Sequence, residues 1–215
     1  MEQLWSLMPT FMEGFRVTLI LLVVAGVLSL ILGTLIAAMR ISPVAALRGF
    51  AALWTEVARN TPLTLVFFFT AFVMPMLGLR APYILLAFVA LTYYTSPFVA
   101  EALRSGINGV PIGQAEAARS IGLGFGQTVS LVVLPQAFRA VVPPMGNIFI
   151  ALVKNTSVAS AFSNYELISA MRNLIEQNGN AVISILVGIT AAYVLLVAVV
   201  ALAFNLLERS VGVPA

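Results

Sequence analysis

Lys154-Asn155-Thr156-Ser157 sets an ammonium, an amide and two hydroxyls side by side inside a run that is otherwise apolar from about residue 137 to 162. These groups hydrogen-bond well but contain no nucleophile–base pair. Their chemistry is recognition of an anion, a carboxylate above all, rather than bond breaking. A second polar cluster, Arg59-Asn60-Thr61 before Pro62, stands at the start of another apolar run. A third set is of a different kind. Glu116 and Arg119, with Ala117 and Ala118 between them, have the i,i+3 spacing that brings opposite charges together on a helix surface.

The missing residue types narrow the chemistry further. Histidine, cysteine and aspartate are all absent, and the eight acidic residues are all glutamates. A thiolate or imidazole metal site, a disulfide framework, a Ser–His pair and an aspartyl dyad are therefore excluded. No G-x-x-x-x-G-K-[ST] phosphate-binding loop is present, so any ATP chemistry must come from another chain. No enzyme activity, metal or cofactor is expected on this chain. A net charge of +3, with its basic residues scattered, gives no nucleic-acid footprint.

Positioning these clusters falls to elements that dissolve in lipid. Of the 215 residues, 61% are hydrophobic and 9% charged, against roughly half and a quarter in soluble domains. Five apolar runs are expected to span, at about 17–39, 61–79, 82–103, 137–162 and 181–207. None shows strand alternation, so the fold expected is all-α, a single integral membrane domain over residues 1–215. The second run could begin nearer Phe50 and kink at Pro62, which would draw Arg59 to the membrane edge. Glutamates near the N-terminus and a long first run point to a retained span rather than a cleaved signal. With the N-terminus outside, Arg40, Arg48, Arg59, Arg104, Arg119, Arg139 and Arg209 fall in the cytoplasm and Arg16, Arg80 and Arg172 outside, as the positive-inside rule requires. The C-terminus is then cytoplasmic, and so is the connection at 104–136.

That connection reads as an elbow. Pro111 suits a first helical turn, helix formers run to Ser120, and Gly122 supplies a left-handed stop. So short a helix is marginal alone in water and needs a surface to pack on. A second amphipathic piece follows from about Phe125 to Leu134, with Pro135 ending or bending it. The alternative is a plain surface loop with a Glu116–Arg119 ion pair of a few tenths of a kcal/mol.

Lys154 lies fifteen residues beyond Arg139, an expected interface marker. That is about 22 Å of helix against a hydrocarbon core of about 30 Å. Lys154 could snorkel to the outer headgroups, or the Lys154–Ser157 segment could form a polar break lining a cavity. Arg59, Asn60 and Thr61 carry the same two readings, a flank or a path. Glu101 and Arg104 read as a structural pair, and Gly26, Gly33 and Gly188 as sites of close helix contact.

Glu116-Ala117-Ala118, Gly122 after three residues, and Val132-x-Leu134-Pro135 after nine more resemble the EAA signature of ABC-importer permease subunits. Arg59-Asn60-Thr61-Pro62-Leu63, the Ser96–Ile107 segment and Lys154-Asn155-Thr156-Ser157 resemble elements of the polar amino-acid branch, the histidine-permease-like family. Asn155 replaces a common aspartate. The likeness is greatest to glutamate-uptake permeases of actinobacteria. It implies a type I ABC importer fold in the bacterial cytoplasmic membrane. It also implies a docking helix of Glu116, Ala117, Ala118, Arg119 and Gly122 for a cytoplasmic ATPase, which binds the ATP. A second permease subunit, identical or related, and an extracytoplasmic amino-acid-binding protein complete the implied assembly. An ion channel or proton-coupled carrier is the rival reading.

Overall fold

The computed structural model describes the backbone of residues 2–212 and the side chains of residues 7–212. Met1 and residues 213–215 of the expected domain lie outside the described residues. Among the described residues the chain is helical, without strands. The helices are α1 (Glu2–Arg40), α2 (Ala45–Asn60), α3 (Leu63–Met76), α4 (Tyr83–Asn108), α5 (Ile112–Ser120), α6 (Phe125–Phe162), α7 (Leu167–Gln177) and α8 (Gly179–Ser210). By length and composition α1 (from Leu7), α4, α6 and α8 can each cross a membrane, and α2 with α3 makes a fifth span if the bent pair counts as one.

The second run departs from the straight span expected at 61–79. Helix α3 covers 14 residues, about 21 Å, too short to cross the hydrocarbon alone. It joins α2 at a bend of 101°. Pro62 explains the break: it lacks an N–H and holds the residue before it in extended backbone, and Thr61 accordingly has φ −94° and ψ 126°. The kinked alternative is the one observed, with a start at Ala45. Helix α1 also begins well before residue 17. Its N-terminal part packs Leu7, Phe11 and Phe15 against the cluster that includes Leu167 and Leu174 of α7.

Pro135 was expected to end or bend the helix, yet α6 runs through it. A π turn at Val129–Val133 precedes it, and Leu134 N–H bonds to the Val129 carbonyl five residues back. The wider turn relieves the clash between a proline ring and the carbonyl four residues earlier. Helix α3 uses the same device before Pro75, with Met74 N–H on the Phe69 carbonyl.

The core lies where α1, α4 and α6 meet: Leu21 and Ala25, Ala90 and Leu91, and Leu152 and Val153 are all buried. Alanine and glycine let the backbones approach where lipid offers no hydrophobic drive between helices. A Cβ on Gly33 of α1 would lie 2.6 Å from Val99 Cβ of α4 and 2.8 Å from the Ser96 carbonyl oxygen. A Cβ on Gly26 would lie 2.8 Å from the Phe149 ring. Gly188 differs from expectation: nothing lies within 4 Å of its would-be Cβ, so it serves no close contact among the described residues. Gly33→Leu is therefore expected to destabilise the protein by about 1–3 kcal/mol. Gly49→Ala, at a site with nothing within 4 Å, is the control. Thermal unfolding in detergent reads both, and an unshifted midpoint for Gly33→Leu would refute the close-packing argument.

Candidate functional site: an elbow and a polar groove

Helix α5 is the elbow, and its stop is built as the sequence indicates. Gly122 has φ +91°. Its N–H bonds to the Arg119 carbonyl at 3.0 Å, and Leu123 N–H bonds to the Ala118 carbonyl at 3.1 Å. This pair of bonds is the Schellman arrangement, which requires a left-handed residue and favours glycine. The next helix starts two residues on, where Gln127 Oε1 accepts the Gly124 N–H at 3.0 Å. The turn between α5 and α6 is thus tied at both ends, and the elbow is stiff.

Glu116, Ala117, Arg119 and Gly122 are exposed, whereas Ala118 is buried. Ala118 therefore anchors the elbow inward rather than presenting itself to a partner, because so short a helix needs one face on the protein. Glu116 and Arg119 make no ion pair among the described residues, so both charges remain directed to the surroundings. Three apolar side chains that sequence reasoning passed over stand out beside them: Ile112, Ile121 and Phe125, each about 80% exposed. Charges ringed by bare apolar side chains are the makeup of a docking surface.

The second feature is a groove of about 310 Å³ between α4 and α6, lined by Tyr94, Thr95, Phe98, Asn147, Ile148, Ala151 and Asn155. Asn147, Ala151 and Asn155 are spaced i, i+4, i+8 and share one face of α6. That spacing was legible in the sequence, but only the facing α4 shows that it lines a groove. The Thr95 hydroxyl is buried and lacks a hydrogen-bond partner among the described residues. Arg59 stacks over the Phe98 ring, its guanidinium carbon 5.5 Å from the centroid, a cation–π contact. Lys154 is exposed on the last turn of α-helix before the chain tightens to a 3-10 helix at Thr156.

The expected path residues divide. Asn155 lines the groove, Arg59 flanks it through Phe98, and Lys154 is the neighbour of Asn155. Thr156 is wholly buried, with its hydroxyl donating to the Val153 carbonyl at 2.7 Å. Ser157 donates to the Lys154 carbonyl. The segment changes from α to 3-10 helix, and its hydroxyls take up local carbonyls. Asn60 donates to the Glu56 carbonyl and carboxylate at 2.8 and 3.0 Å, and Thr61 lines a separate groove with Phe69 and Tyr93. Glu101 binds Arg104 and lies 3.6 Å from Arg40. This ties the end of α1 to α4, the structural role expected.

A bundle of helices apolar enough to cross a membrane, with an exposed elbow and a largely apolar groove bearing two amides, has the makeup of a membrane-embedded transport subunit. The chain belongs to the family of binding-protein-dependent transport system inner membrane components, whose family model matches residues 29–213. As a member it is a permease subunit and not itself a catalyst. It is 44% identical over 193 residues to the glutamate transport system permease protein GluC of Corynebacterium efficiens, covering 84% of this chain and 85% of that protein. It is 37% identical over 199 residues to the probable glutamine ABC transporter permease protein GlnM of Bacillus subtilis, covering 93% and 92%. Its fold matches the structure of an amino acid ABC transporter with histidines, at a TM-score of 0.88 and 28% identity over 96% of each chain.

Proposed function

We infer that this chain is the permease subunit of an ATP-driven importer of polar amino acids, with glutamate or a close relative as its cargo. The transport class rests on family membership and on the EAA-type elbow. The cargo rests on one observation: the groove between α4 and α6 is lined by two amides and the hydroxyl-bearing Tyr94 and Thr95, the cation Arg59 stacks on its Phe98, and no acidic side chain lines it. An anion held there meets donors and no repelling charge. The named cargo of the GluC relative supports the same assignment.

In this reading a cytoplasmic ATPase binds the ATP and seats on the elbow, and this chain carries no cofactor. The distribution of arginines supports a cytoplasmic elbow and C-terminus and an N-terminus outside. A second permease subunit, a copy or a relative, closes the pathway, and an extracytoplasmic receptor delivers the amino acid. The test is ATP hydrolysis by proteoliposomes holding the permease, ATPase and receptor, across a panel of amino acids. Glutamate should stimulate most. Uptake driven by a proton gradient with no ATPase present would sink the reading.

A further inference from the structure

Glu166 is fully buried, although it lies in the connection between α6 and α7 rather than in a span. Burying a carboxylate is unfavourable unless its oxygens are satisfied, and here both are. Oε1 accepts the N–H groups of Ile168 at 2.8 Å and Ser169 at 3.1 Å, capping α7. Oε2 accepts the hydroxyl of Tyr193, on α8, at 2.7 Å. Capping alone needs one oxygen and is commonly done by shorter side chains at the surface. The second oxygen reaches across to another helix.

Four elements meet at this point. Thr18 of α1 is buried and accepts the Leu167 N–H at 3.2 Å. The hydroxyls of Thr18 and Thr156 also stand near the Tyr193 oxygen, with their own protons given to the Gly14 and Val153 carbonyls. Thr156 is the residue at which α6 passes from α to 3-10 geometry, directly after Lys154 and Asn155. Helix α7 adds two more ties to the same stretch: Arg172 donates to Ser160 at 2.8 Å, and Ser169 Oγ donates to the Asn164 carbonyl at 2.8 Å. Desolvation pushes the Glu166 carboxyl above its ordinary value, opposed by the Tyr193 hydroxyl, the two backbone N–H groups and the Arg172 charge.

We propose that Glu166 and Tyr193 are positioning residues for the cargo groove: their hydrogen bond holds Tyr193 against Thr156 and so sets the rotation of α6 that presents Asn155 and Lys154. The proposal rests on the groove being the cargo site. A turn of α-helix and a turn of 3-10 helix advance each side chain by different angles. A junction that drifted one residue toward the N-terminus would therefore turn Asn155 by about 20°, the difference between about 120° and about 100° per residue, and shift its amide within the groove. Neither Glu166 nor Tyr193 lines the groove, so their influence must pass through Thr156.

The test is uptake of labelled glutamate by proteoliposomes holding the assembled importer with saturating receptor. Tyr193→Phe keeps the ring and removes the hydroxyl. It should lower the uptake rate about fivefold, and Asn155→Ala about tenfold or more, roughly 1–1.4 kcal/mol. The double variant should be no worse than Asn155→Ala, because both act on one contact. Thr156→Val should reproduce Tyr193→Phe, and neither should shift the melting temperature of the complex as far as Gly33→Leu. Normal uptake by Tyr193→Phe, or losses that multiply in the double variant, would overturn the positioning role alone. Normal uptake by Asn155→Ala would instead remove the cargo groove, and the proposal with it.

Discussion

Replacing Glu116 by arginine is expected to lower recovery of the ATPase with the permease by at least about tenfold, a loss of about 1.4 kcal/mol or more. Glu116 is exposed and has no ion-pair partner among the described residues, so its charge is available to a partner. Reversing it would replace an attraction across the interface by a repulsion, the more damaging of the two kinds of change. The elbow itself should survive, because its geometry depends on Ala118, Gly122 and Gln127 rather than on Glu116. Insertion and the melting temperature of the isolated permease should therefore stay at wild-type values. Co-purification at wild-type yield would remove Glu116 from the docking surface and leave Ile112, Ile121 and Phe125 as its remaining candidates.

Lys154→Ala is expected to lower uptake of labelled glutamate by about tenfold or more while the complex still assembles. Lys154 is exposed, precedes the groove residue Asn155 in the chain, and makes no ion pair among the described residues. A charge that only snorkelled toward headgroups would contribute packing along its stem and little to transport. The two roles separate cleanly in Lys154→Met, which keeps the stem without the charge. Lost uptake in Lys154→Met places the charge in the pathway. Normal uptake in both variants makes Lys154 a lipid anchor and leaves Arg59 as the cation beside the groove.

Much of this was legible in the chain itself, and what was not has a common cause. The α5 stop could be read at Gly122 because a left-handed cap is a local requirement. The Glu101–Arg104 pair followed from spacing within one helix. Pro135 suggests an end or a bend in the helix, and the helix does not end there. The π turn that accommodates it depends on the residues before it having room to widen. Thr156 looked like a path residue in sequence, since hydroxyls beside a lysine suggest polarity facing a cavity. Its complete burial could not be inferred from its own helix. Glu166 gives no local signal for the same reason: its partner on another helix, Tyr193, stands 27 residues away along the chain.

By itself the sequence determined an all-helical membrane protein without enzyme chemistry and with a short capped helix at about 111–120. Hydropathy, residue inventory and capping act over a few residues and need no neighbours. The tertiary structure alone decided which face of each helix meets protein. It turned Asn147 and Asn155 toward α4, Thr156 toward Tyr193, and bent α2 against α3 so that Arg59 lies on Phe98. A helix presents every face to its surroundings until packing covers some of them. The contacts that do so join residues far apart in the chain, beyond the reach of any local pattern.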